Sequence, residues 1–451
     1  MLAVMAGPAT RHMVAIGLGT AVAPLDSAVN IAFPAITRGL GLAIGDIQWV
    51  VISYVLTYAS LMLVFGRLGD RLGHAAIFRV GLIWSAASLV LCGLAPSFAL
   101  LLLCRILQGV GTALVLSCGA ALTTGLYAED RRSRVLGLYV MMMAVGATLG
   151  PWLGGALTQA WGWPAVFWFR APIALAALLL LRGLPTPPAR RAPGRFDIAG
   201  AALLTTALVA LLLALNHLGE PVAVLLGVAA LALFAGFVRQ EARCAAPMLD
   251  LAVFRRPGFA RLNIANVLTN LAGFAVWLLV PYFLVRATGF GLTANGAVLA
   301  AASAGTIIAS PIGGRLIGRI PAERLALAGA LLAGGGLLLI GLWDDDVSAP
   351  ALIAALTVQG IGLGLFQIAY TDIVTEAMPR WDRGVAGSLA LMTRTLGTVG
   401  AATLVLLLFQ SLEQDMGFVG AFRRTFQLAA LLPFAMAGLL ALPRRRTGTL
   451  P

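Results

Sequence analysis

Apolar runs broken by short polar stretches recur along all 451 residues of the chain. A bilayer core of ~30 Å takes ~20 helical residues to cross. Runs near that length lie at 13–36, 47–66, 77–95, 98–126, 134–158, 165–183, 198–216, 221–239, 260–285, 293–314, 324–343, 350–377, 384–410 and 423–442. This pattern predicts an all-α polytopic membrane protein with 14 transmembrane helices, numbered here as spans 1 to 14. An even number of spans puts both termini on one side, and the arginine placement described below makes that side the cytoplasmic one. Span 1 reads as a retained helix rather than a cleaved leader, because it is long and carries Asp26 and Pro34.

Composition agrees with that reading. Hydrophobic residues make up 60% and charged residues 11%, whereas a soluble domain carries about a quarter charged residues. The formal charge of +13 comes entirely from arginine, since the sequence contains no lysine. Threaded from a cytoplasmic N-terminus, 24 arginines fall in inner loops or at the inner ends of spans, 4 on the outer side (Arg38, Arg286, Arg423, Arg424) and 3 deep inside spans. Such a bias fixes topology and argues against nucleic acid as a partner. Cys92, Cys104, Cys118 and Cys244 have neither disulfide nor metal-ligand spacing.

Two inner loops, 182–197 and 239–261, are rich in Arg and Pro and flank a helix pair at 198–216 and 221–239. Outside that pair the chain repeats itself. "GRLGDRLGHAAIF" (66–78) aligns with "GRLIGRIPAERLA" (314–326), and "RILQGVGTAL" (105–114) aligns with "LTVQGIGLGL" (356–365). Parallel six-helix repeats around a midplane substrate site are a transporter architecture. On these residues the sequence resembles the major facilitator superfamily. The resemblance implies two six-helix bundles, at 1–183 and 260–451, joined through residues 184–259, which hold the extra helix pair.

Three motifs narrow the resemblance. Gly66, Asp70, Arg71 and Gly73 lie between spans 2 and 3, where the superfamily carries a conformational latch; glycine lets helix ends approach closely. Span 5 carries "GATLGPWLGG", that is Gly146, Gly150, Pro151, Gly154 and Gly155. Glycines four apart allow close helix packing and the proline bends the helix. The full run is similar to the antiporter motif of the fourteen-helix drug:proton antiporters. Span 6 opens "GWPAVFWFRAP" and departs from that group twice, with Pro164 where the group has Arg and Arg170 where it has Asn.

Candidate chemistry lies in the spans. A charged group in a span is costly and faces a cavity or a partner. Arg105 and Gln108 are i, i+3 on span 4 and share a face. Asp26 and Asn30 are i, i+4 on span 1, with Pro34 one turn further. Asp26, ~15 Å deep, and Arg105, ~10 Å deep, are at comparable depths and can approach or share waters. Burial works against the charge of Asp26 and Arg105 supports it, so the carboxylate either loads a proton or is a fixed half of an ion pair. Arg170 either snorkels outward or is a cavity cation that favours anionic or carbonyl-rich substrates. Tyr54 and Tyr58 either line the cavity or pack on each other, and Arg394 on span 13 matches an arginine of the family. Asp372 reads as a partner of Arg380 or Arg383, and the "WDDD" of residues 343–346 as a solvated loop.

The expected function is transport, with no enzyme chemistry: the sequence shows no nucleophile triad, phosphate loop or metal-binding set. The expected protein is a monomeric, cofactor-free exporter of small organic molecules in a bacterial inner membrane. It exchanges them for protons at Asp26 and Arg105, with Asn30, Tyr54, Tyr58, Gln108, Arg170 and Arg394 lining the substrate cavity. The alternative is a proton-coupled importer of a small metabolite or vitamin, flavin-like for example. A membrane-embedded enzyme or receptor is the remote reading.

Overall fold

The computed structural model describes residues 8–125, 132–184, 197–217, 220–244, 258–317, 319–377 and 383–441. Every predicted span is helical: α1 (Pro8–Ala21), α2 (Ser27–Leu40), α3 (Gln48–Leu72), α4 (His74–Leu94), α5 (Phe98–Gly125), α6 (Arg132–Trp161), α7 (Ala165–Trp168), α8 (Arg170–Leu180), α9 (Ile198–Asn216), α10 (Pro221–Arg243), α11 (Phe259–Ala287), α12 (Leu292–Leu316), α13 (Ala322–Ile340), α14 (Ala349–Ala377) and α15 (Arg383–Ala441). Among the described residues, 10 helical stretches are long and apolar enough to cross a membrane.

Two spans differ from the continuous helices expected of them. Span 1 is broken into α1 and α2 by a 3-10 turn at Pro24–Asp26. The ring nitrogen of Pro24 cannot donate to the carbonyl of residue 20, so the ladder stops there and restarts at Ser27. Span 6 divides into α7 and α8 around Phe169. Pro172 there removes the donor that would have bonded to the carbonyl of residue 168. Spans 13 and 14 run through one stretch, α15, interrupted at Gly417 with φ 69, a conformation that costs glycine least.

The chain divides into two compact units. The first comprises Met1–Ala246 and Val276–Ser303, the second Pro247–Ala275 and Ala304–Pro451. In the first, α2 packs on α6 and α5 on both α3 and α4. The contacts are close because glycine stands at the crossings. A first side-chain carbon at Gly109 would sit 2.8 Å from the Tyr54 carbonyl oxygen, and one at Gly111 would sit 2.6 Å from Ser85 Oγ. Both glycines belong to the "QGVG" segment. The pair α9 and α10 pack on each other, and α9 also touches α3. Only 11% of the apolar stretch of α10 is buried, leaving Val224, Leu225 and Leu231 outward, an apolar surface suited to lipid.

In the second unit α13 and α14 pack most closely, again through the repeat. At Gly362 of "QGIG" an added carbon would strike the backbone of Ala333, and at Gly336 it would strike that of Gln359. The core of this unit gathers Phe259, Leu262, Leu325, Phe366, Tyr370 and Val374. The second part of α15 adds a run of aromatic rings, Phe418, Phe422 and Phe426, with Trp343 stacked on Phe422. The two QGxG segments recognised in the sequence therefore do the same job, each placing a bare helix face where a neighbour crosses.

Candidate functional site

The break in span 1 decides where Asp26 goes. It ends the 3-10 turn and stands directly before the first residue of α2, without a side-chain capping bond, where the helix dipole favours a negative group. Its carboxylate accepts four hydrogen bonds. Arg105 donates from both ends of its fork, Nη1 to Oδ1 at 2.8 Å and Nη2 to Oδ2 at 2.9 Å. Arg170 Nη1 donates to Oδ1 at 2.7 Å and Gln108 Nε2 to the same oxygen at 3.0 Å. A bidentate guanidinium–carboxylate pair in a dry site is strong and geometrically strict.

The two arginines are not equivalent. Arg105, 1% exposed, uses all its nitrogens: Nε donates to the Val50 carbonyl at 2.9 Å, and Nη1 also donates to Gln108 Oε1 at 2.7 Å. Its guanidinium lies 4.2 Å from the Tyr54 ring centre. Arg170, 0% exposed, donates from Nε to the Val166 carbonyl at 3.1 Å and from Nη1 to Asp26, while Nη2 is buried without a hydrogen-bond partner. Phe167 lies beneath both guanidiniums, 5.8 Å from that of Arg105 and 5.6 Å from that of Arg170. With Asp26 ionised, two cations and one anion leave the cluster one positive charge in excess. Asp26 itself is the member with access, its side chain 15% exposed.

The structure thus brings Asp26, Arg105, Gln108, Arg170 and Tyr54 together. Asp26 and Arg105 meet directly, without a water between them. The snorkelling option for Arg170 is overturned: the side chain turns inward, because Asp26 and the Val166 carbonyl supply the partners that water would otherwise supply. Tyr54 and Tyr58 pack on each other at 5.2 Å and Tyr54 hydroxyl meets Thr112 Oγ1 at 3.2 Å. Asn30 is half-buried one turn along α2 from Asp26. Arg394, by contrast, lies in the second unit and is exposed.

The glycine motif of span 5 lies on α6, and it packs as tightly as its glycines suggest. An added carbon at Gly154 would lie 2.5 Å from the Ala28 carbonyl oxygen, and one at Gly150 would strike Ser27 Oγ. Ser27 Oγ in turn donates to the Ala147 carbonyl at 3.1 Å. Gly146 approaches the Ala21 carbonyl, and Gly155 the backbone of Leu292. The motif therefore presses α6 onto the broken helix beside Asp26. In the latch motif Gly73 takes φ 94 between α3 and α4. At Gly69 a side chain would collide with His74 and Cys118, whereas Gly66 has only Ser117 Cβ within reach, at 3.9 Å. Gly66 is thus not a close-approach glycine. The side chains of Asp70 and Arg71 lie outside the described residues, as do those of Arg380 and Arg383, the expected partners of Asp372.

A second polar cluster had no place in the sequence reading. Asn263, Asn266 and Asn270 follow i, i+3, i+7 along α11, all buried in the second unit. Asn266 Nδ2 donates to Thr393 Oγ1 at 2.8 Å, Gln367 Nε2 donates to Asn266 Oδ1 at 2.9 Å, and Tyr370 hydroxyl donates to Asn263 Oδ1 at 2.9 Å. Gln367 also lines a cavity of about 410 Å³ with Ile317, Ile368, Thr371 and Asp372. The asparagine periodicity was visible in the sequence, but neutral amides carry no charge to mark them in an apolar run. Phe167 gave no signal at all, since only its neighbours distinguish it from a packing aromatic.

The chain matches the Major Facilitator Superfamily over residues 16–245 and 262–450. It is a member of the major facilitator superfamily. Among its superfamily relatives, the multidrug resistance protein Stp of Mycobacterium tuberculosis (strain CDC 1551 / Oshkosh) is 32% identical over 87% of this chain and 74% of its own length. The riboflavin transporter RibZ of Clostridioides difficile (strain 630) is 27% identical over 90% of each chain. The tetracenomycin C resistance and export protein of Streptomyces glaucescens is 29% identical over 88% of this chain and 75% of its own length. The protein is a polytopic membrane transporter of this superfamily and not an enzyme.

Proposed function

We propose that this transporter exports small organic molecules in exchange for protons by alternating access, with Asp26 as the proton-carrying group and Arg105 as its partner. The observation that carries this reading is the carboxylate itself, held at a helix break by two guanidiniums and an amide, inside a bundle built for lipid. A group so held has two states: paired and charged, or protonated and released from its arginines. Each state leaves different charges where the side chains of Asp26, Arg105 and Arg170 meet. The close seam of α2 on α6 would transmit that difference as a shift of packed helices. In this reading the chain crosses the bacterial inner membrane fourteen times with both termini in the cytoplasm. It works as a monomer whose energy source is the proton gradient, needing no cofactor.

Two relatives whose names print multidrug resistance, or resistance and export, support the outward direction. Import of a small metabolite or vitamin is the second reading, supported by the riboflavin transporter that matches over 90% of both chains. Everted membrane vesicles test the proposal. Substrate added to energised vesicles should release protons from the lumen, and Asp26→Asn should abolish that release. Proton movement in the opposite sense would establish import, and full proton coupling in Asp26→Asn would reject Asp26 as the carrier.

A further inference from the structure

We infer that the substrate is an organic anion whose negative group docks on Arg170. The inference rests on the Asp26 cluster being the transport site. Three observations point to it. The cluster holds two guanidiniums against one carboxylate, so it keeps an uncompensated positive charge in a place where burying charge is expensive. Arg105 spends every nitrogen on protein partners, whereas Arg170 keeps Nη2 buried and unpartnered. A buried donor of this kind is worth satisfying, and in a transporter the group that satisfies it can be the cargo. Finally, α2 begins at Ser27, directly after Asp26, and the N-terminus of a half-helix adds a further positive field beside the cluster.

A carboxylate, phenolate or phosphate matches this donor chemistry, since each accepts from a guanidinium edge while Asp26 keeps Nη1. The aromatic rings of Phe167 and Tyr54 beside the guanidiniums supply apolar faces for a ring-bearing acid. The charge count also suits export. An anion brings the cluster to neutrality on the outward journey, while the carrier returning with a proton on Asp26 in place of the anion holds two positive charges, a movement that an inside-negative potential favours. A cationic substrate would instead meet two arginines and compete with both for Asp26.

Two xanthene dyes of matched skeleton separate these cases: fluorescein, an anion at mildly alkaline pH, and tetramethylrosamine, a cation. Binding to the full-length protein in lipid nanodiscs is read by fluorescence polarisation. Fluorescein should bind about ten-fold tighter or more, the size expected of one hydrogen bond to a charged group. Arg170→Gln should erase the preference, and Arg170→Lys, which keeps the charge, should retain part of it. A preference for tetramethylrosamine, absence of fluorescein binding by protein that elutes as a single folded peak, or an unchanged preference in a folded Arg170→Gln overturns the inference. Dye flux in proteoliposomes under an imposed proton gradient is scored separately. Movement of the cation alone sinks the anion assignment but leaves the transporter reading, and binding of fluorescein without gradient-driven movement does the reverse.

Discussion

The two units solve the same problem differently. Each buries polar side chains among membrane-crossing helices, but the first builds its cluster from charges and the second from neutral amides and hydroxyls. The contrast is sharpest at the internal repeat, where Arg105 in "RILQGVG" corresponds to Leu356 in "LTVQGIG", while Gln108 corresponds to Gln359. Both glutamines are buried, and glycine seats a crossing helix in each copy, at Gly109 and Gly111 in the first and at Gly362 in the second. The scaffold of the repeat is therefore shared, and one position decides whether the cluster is ionic. Neutral networks are satisfied one hydrogen bond at a time. An ionic cluster ties its members together, so that changing the charge of Asp26 alters every partner at once, which is what a coupling device requires.

That contrast can be broken most severely at Asp26. Asp26→Ala leaves two guanidiniums buried without their counter-charge, a change expected to cost about 3–5 kcal/mol. It should appear as a large drop in melting temperature in detergent, with loss of substrate-dependent proton movement. Arg105→Leu, which writes the second half's residue into the first, should cost about 3 kcal/mol and also end coupling, because Asp26 loses its bidentate partner. If Arg105→Leu still couples protons, the charged cluster is not what distinguishes the two units.

A double substitution sharpens the charge argument. Asp26→Asn with Arg170→Gln should be more stable than Asp26→Asn alone by about 1–3 kcal/mol, since it removes the surplus cation along with the anion. Additive losses in a thermal-melt cycle would mean that Arg170 and Asp26 do not act as a pair. Asn266→Leu in the second unit should cost about 1–3 kcal/mol through the hydrogen bonds it now makes with Thr393 and Gln367, with proton coupling intact. Loss of coupling there would give the amide cluster the role assigned here to the charged one. The smallest effect belongs to Tyr54→Leu, which removes a ring over Arg105 and should cost about 1–2 kcal/mol. A measurable rise in the fluorescein dissociation constant would show that the ring also meets substrate.

Much of this was legible in the sequence alone. Charges inside apolar runs advertise themselves, so Asp26 and Arg105 could be paired by depth alone, and Gln108 followed from its spacing to Arg105. Glycine runs marked the seam of α6 with α2, because only a residue without a side chain can bring two backbones that close. The asparagine face of α11 was equally periodic but silent, since a lone amide in a span reads as one more tolerated polar group.

The sequence by itself determined the membrane environment, the helix succession, the repeat and the presence of charges that must find partners, all consequences of local composition and spacing. Only the tertiary structure decided which partners they found. Whether Arg170 reaches water or turns inward depends on Asp26 and the Val166 carbonyl, which lie 144 and 4 residues away along the chain. Whether Asp26 rides mid-helix or at a helix start depends on a broken hydrogen-bond ladder at Pro24. Neither distance nor direction in space is written in the order of residues, and the net charge of the cluster, the property that carries the functional argument, exists only after folding has assembled it.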